Sequence, residues 1–127
     1  MRTYEQIRGH RADFVVKYRL LPPEDGGRKV TYQHLRCDFM YEGDDPTTDG
    51  IFMIHPEFLD AAGRPLDEGV VVPLDGKASM WVLVPQMRPL HRTRIKAGTK
   101  GYFMEGSRKV GSIEVESVVA LHANTDA

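Results

Sequence analysis

The chain has 127 residues, a formal net charge of −1, 41% hydrophobic side chains and 28% charged ones. That length suits one domain burying roughly two thirds of its unfolded surface. No apolar run approaches the ~20 residues of a membrane-spanning helix, so no membrane partner is expected. Cys37 stands alone, which excludes an internal disulfide. The N-terminus has no apolar leader core, and with a single thiol the expected compartment is the reducing cytoplasm.

The charge is segregated. Residues 38–77 carry ten acidic side chains against Arg64 and Lys77, whereas residues 85–111 carry seven basic ones against Glu105. Nucleic-acid binding usually needs a positive surplus, so here it would have to be local.

In chain order, residues 1–11 form a polar lead-in. Ala12–Leu21 alternates, with Phe14, Val16, Tyr18 and Leu20 on one face, and predicts a first strand that Pro22-Pro23 ends. The next covers Leu35–Tyr41, with Leu35, Cys37, Phe39 and Tyr41 facing one way. Ile51–Ile54 predicts a short buried strand, and Pro56–Ala62 one helical turn stopped by Gly63. Val70–Val72 and Ser79–Val84 predict two further strands around Asp75-Gly76. Pro85 and Pro89 then leave Arg92–Ile95 as an edge segment.

The stretch Lys100–Leu121 predicts a long hairpin turning at Glu105-Gly106-Ser107. Tyr102, Met104, Ile113, Val115, Val119 and Leu121 share its buried face, and Gly111 marks a bulge. Together these elements indicate an all-β fold, a closed antiparallel barrel of six to seven short strands over residues 12–121 with a tail at 122–127.

Chemistry is marked by absences. No GxxxxGK[ST] or GxGxxG stretch occurs, so no nucleotide or GTP site is expected. The five histidines are scattered and no metal site is expected, nor any cofactor. Asp44, Asp45 and Asp49 lack the spacing of a calcium loop. Cys37 and Trp81 fall on apolar strands and suit the core, and Ser107 has no histidine beside it.

In order, three stretches resemble the C-terminal β-barrel, the third domain, of elongation factor Tu. They are FVVKYRLLPPEDGGR (14–28), RCDFMYEGDDPTTDG (36–50) and the segment 98–119. In the last, Met104-Glu105-Gly106-Ser107-Arg108-Lys109-Val110-Gly111 is similar to the family's Arg-Glu-Gly-Gly-Arg-Thr-Val-Gly turn. The resemblance spans roughly residues 12–121, with an enlarged region at 55–68, and implies a six-stranded antiparallel barrel. It also implies a surface that, in the family, holds the T-arm backbone of aminoacyl-tRNA and contacts partner proteins. Glu105 and Gly106 match turn positions that touch that backbone, and Arg108 matches the turn's arginine.

Other positions depart from the pattern. Asp38 stands where the family has a glutamine, and a carboxylate repels phosphate where an amide donates to it. Met104 replaces an arginine, Ser107 a glycine, and Asp49 sits near a family threonine.

The expectation is therefore a non-enzymatic module that binds a partner protein, with binding of tRNA or another RNA as the alternative. Candidate contact residues are Glu105, Gly106, Arg108 and Lys109 at the turn, and Arg92, Arg94 and Lys96 in the basic segment. Phe58 joins them as a loop aromatic that either anchors a partner or tucks under the barrel's end.

Overall fold

The first strand alternates strictly and lies at the centre of the sheet, paired on both sides. In β1 (Phe14–Leu20), Phe14, Val16, Tyr18 and Leu20 are all buried, while Lys17 and Arg19 face solvent. The computed structural model describes every residue from Met1 to Ala127. Its further strands are β2 (Asp38–Tyr41), β3 (Ile54–Leu59), β4 (Asp75–Val82), β5 (Lys100–Glu105) and β6 (Arg108–Val118). They form one six-stranded antiparallel sheet in the order β2-β5-β6-β1-β4-β3. The sheet curls strongly around a core of Phe14, Phe39, Phe58, Phe103 and their apolar neighbours, whose rings meet mainly edge to face.

The fold is a half-barrel rather than a closed barrel, and the two edge strands explain why. Between β2 and the segment just before β3 a single bridge forms, in which the backbones of Phe39 and Phe52 exchange hydrogen bonds of 2.9 and 2.8 Å. Beyond it, β3 offers its free edge at Ile54, Pro56 and Phe58. Ile54 N–H turns back to the Phe52 carbonyl, and Pro56 has no N–H to give. The Gln33 side-chain amide occupies Phe58 from both sides: its Oε1 accepts from Phe58 N at 2.7 Å, and its Nε2 donates to Phe58 O at 2.8 Å. A side chain thus stands where a strand would pair. Next to it, His34, the one non-glycine residue at positive φ (64°), sets its Nε2 2.7 Å from Glu57. The β2 edge is closed as well, since the Tyr41 carbonyl accepts from Asp44 N–H. Neither edge is left open for strand addition.

Several local expectations are corrected. The strand expected at Ile51–Ile54 and the helical turn at Pro56–Ala62 give way to β3, because proline is tolerated on an edge strand whose N–H side faces away from the ladder. Val70–Val72 is a loop without a partner strand. Arg92–Ile95 lies not on a sheet edge but in and just after helix α2 (Arg88–Arg94), with Pro89 in the first turn where it costs no hydrogen bond. The lead-in is ordered too. Tyr4–Arg8 forms helix α1 with a Thr3/Gln6 capping box, and it docks through Tyr4, which donates its N–H to Glu57, stacks on His34 and meets Trp81 edge-on.

In the hairpin, the register pairs Phe103 with Gly111 but Met104 with Lys109, so Val110 is the extra residue of a bulge. The bulge lies one position before Gly111. Gly101 and Phe103, not Tyr102 and Met104, are the residues in register with the inward side of β6 at Ile113 and Gly111. Phe103 joins the core, while Tyr102 is half-buried beneath Lys109.

Gly101 lies flat against β2, where an added Cβ would sit 2.7 Å from the Met40 carbonyl oxygen and 2.7 Å from a ring carbon of Phe39. Gly101→Ala is expected to lower stability by about 1–3 kcal/mol. An unchanged urea midpoint would show that β2 yields freely.

Candidate functional site

At the end of the half-barrel where β1 finishes and β6 begins, two loops stand side by side. Residues 28–35 precede β2 and residues 70–74 precede β4. Their sequence inverts the usual pattern: Thr31 and Gln33 are buried while Val30 and Tyr32 are exposed. The polar side chains are drawn inward because β3 needs a partner for its edge, and Gln33 supplies it. The second loop adds Val70, Val71 and Leu74, of which Val71 and Leu74 are 54% and 53% exposed. Away from these loops, the large exposed apolar side chains are only Met1, Ile7, Met53 and Leu90.

Between the loops lies a cleft of about 380 Å³. Its floor is core-like, made of Leu20, Leu35, Val72 and Val110, and its rim carries Val30, Val71 and Leu74. The walls are tied down: Val72 N–H donates to Thr31 O at 2.8 Å, Leu20 N–H to Leu74 O at 2.7 Å, and Leu21 N–H to Val110 O at 2.9 Å. The Tyr18 hydroxyl donates to Pro73 O at 3.1 Å, and burial pushes that phenol up to about 12. A pre-formed apolar cleft of this kind costs little ordering when it is filled.

The hairpin tip abuts this end. Glu105 accepts from Arg28 at 3.1 Å, Arg108 sits 3.7 Å from Glu105, and Arg108 donates to Gly26 O at 3.1 Å. Gly106 takes φ 59° to make the turn, and Lys109 lies 4.0 Å from the centre of the Tyr102 ring. The charged turn therefore braces the loop carrying Arg28.

The basic segment is elsewhere. It precedes β5, whereas the tip follows it, so a six-residue strand of roughly 17 Å separates the two groups. Arg92 holds the C-terminal tail through Leu121 O (3.0 Å) and Asn124 O (2.7 Å). Arg94 forks onto Asp44 at 2.9 and 3.0 Å and stacks over Tyr41 at 3.8 Å, a pairing that holds the guanidinium further up its range. Lys96 is exposed. Two of the three basic candidates are thus engaged within the chain, and Arg94–Asp44 is the ion pair that joins the basic segment to the acidic one. Phe58 is corrected as a loop contact residue: it lies within β3, has no exposed surface and packs on Tyr18 and Phe103 in the core.

Asp38 and His55 face each other at 3.8 Å across the β2–β3 seam, where burial holds the imidazole below its usual range against the pull of the carboxylate. Burial likewise pushes the Cys37 thiol well up, as for an inert core cysteine.

The residues that sequence reasoning missed are Val30, Val71 and Leu74. Their signal was present: three valines between Gly69 and Pro73 form a run too short to pair, and apolar and polar residues alternate at 30–33 in the wrong sense for a strand facing the core. No protein-family model matches the chain, and no curated protein does. No helix is long and apolar enough to cross a membrane.

Proposed function

We propose that this chain is a non-enzymatic binding module, built on a half-barrel that resembles the C-terminal domain of elongation factor Tu, that docks a partner protein on the apolar cleft. The observation that carries this reading is the rim itself. Val71 and Leu74 stand more than half exposed above a buried apolar floor, and a contiguous apolar patch in such a setting marks a contact surface. Both sheet edges are internally capped, so the partner is met by side chains rather than by an added strand.

Binding of RNA is the competing reading. Arg92, Arg94 and Arg108 are already committed to Leu121, Asp44 and Gly26, which leaves Lys96 and Lys109 among the basic candidates, and the net charge of −1 offers phosphate no overall attraction.

A photo-crosslinking amino acid at position 71 tests the choice. It is expected to capture protein from a lysate at near-physiological salt, resistant to ribonuclease, while the same group at Thr48 captures none. Crosslinks to RNA, or equal yields from both positions, would sink the reading.

A further inference from the structure

The charge at the cleft narrows what can fill it. Its only charged lining residues are Arg28 and Lys29, and no carboxylate lines it. Arg28 is held back by Glu105. Lys29 is exposed and outside every ion pair of the chain. An apolar slot with one uncommitted ammonium on its lip is complementary to apolar side chains flanked by carboxylates.

We infer that the occupant is a short acidic, apolar segment of a partner protein. Its bulky side chains sit between Val30, Val71 and Leu74, and an Asp or Glu pairs with Lys29. This rests on the docking reading above. The segment lies in the cleft as an extended or irregular chain, because no backbone edge is available to make it a strand. A basic segment would meet repulsion from the unpaired Lys29, so the same charge that attracts also discriminates.

A random twelve-residue peptide library displayed on phage, selected against the immobilised full chain, provides the test. The selected pool is expected to be enriched in Asp or Glu beside Leu, Ile or Phe. A synthetic peptide from that pool should bind the Val71→Asp chain at least about tenfold more weakly. It should bind Lys29→Glu roughly tenfold more weakly, and should lose affinity severalfold between ~0.05 and ~0.5 M salt.

Both substitutions lie on exposed side chains, and thermal melts matching the parent confirm that each variant folds. A pool that is apolar without acidic bias, with Lys29→Glu neutral, overturns the acidic assignment and leaves the docking site standing. A pool enriched in Lys or Arg overturns it likewise. No enrichment over the Val71→Asp chain overturns both readings. Self-association lost on Val71→Asp would show that a second copy, not a foreign segment, covers the cleft.

Discussion

Arg88→Met is expected to lower the unfolding free energy by about 3–5 kcal/mol, the usual cost of stranding one member of a buried ion pair. Arg88 is 1% exposed and Asp13 not at all. The guanidinium donates from Nε to Asp13 Oδ1 at 2.9 Å, from a terminal nitrogen to Oδ2 and to Val82 O at 3.3 Å each, and also to the Thr125 carbonyl. Asp13 in turn accepts from Val82 N–H at 2.7 Å and from the Asn124 amide at 2.9 Å. The network joins the start of β1, the end of β4, helix α2 and the C-terminal tail.

Methionine fills similar volume but leaves a desolvated carboxylate with two donors instead of four. Lysine keeps the charge yet lacks the fork, so Arg88→Lys should recover only part of the loss. Chemical denaturation checks both variants. A double-mutant cycle with Asp13→Asn should give a coupling energy of at least about 1 kcal/mol. A loss below about 1 kcal/mol for Arg88→Met would mean that water enters and solvates Asp13.

The legible parts of this fold are those governed by local alternation. Phe14, Val16, Tyr18 and Leu20 alternate, and so do Cys37, Phe39 and Tyr41; both sets lie in the core. The turn at Glu105–Arg108 was equally legible, since it depends on local backbone chemistry alone.

Long-range side-chain bonding hid the rest. Asp13, just before β1, alternates with the apolar face and so patterns as an outward residue, whereas Arg88, far along the chain, with Val82 N–H and the Asn124 amide makes its burial tolerable. Arg92 and Arg94 pattern as free contact residues because their acceptors, the tail carbonyls and Asp44, lie roughly 30 and 50 positions away. Closure of the barrel failed as an expectation for the same reason, because strand count and pattern do not reveal that Gln33 will take the place of a strand beside Phe58. A bulge at Val110 in β6 breaks the match of alternation across the turn, and it is Phe103 rather than Met104 that points into the main core. The apolar cleft went unread because Val70–Val72 has strand composition but no partner.

The same contrast between local pattern and distant partners leads to acid sensitivity. Stability is expected to fall by about 3 kcal/mol through His91 alone as pH drops from about 6.5 to about 4. His91 is fully buried between Tyr41 and Phe52, with its Nδ1 2.6 Å from the Tyr41 hydroxyl and its Nε2 without any partner. Burial depresses its pKa from 6.5 to about 4; Asp13 pulls the other way and the Arg94 guanidinium reinforces the drop. Burial likewise raises the Tyr41 hydroxyl, which therefore stays neutral across this range.

In the unfolded chain the imidazole takes up its proton near pH 6.5, whereas in the folded chain it does so only near 4. Between these values the unfolded state binds more protons, so acid favours unfolding. The contribution is complete above about pH 6.5, shrinks as the pH falls, and is gone at about 4. Burial of His55 acts in the same direction, so the total slope of the wild-type chain should exceed that of His91 alone.

The paired replacement Tyr41→Phe/His91→Phe removes the titrating ring together with the hydroxyl that would otherwise lose its partner. Urea unfolding at pH 7.5 and 4.5 should then show a pH-dependent loss smaller than wild type by about 2–3 kcal/mol. Equal losses in the two proteins would mean that the His91 proton is accommodated in the fold and that acid unfolding begins elsewhere.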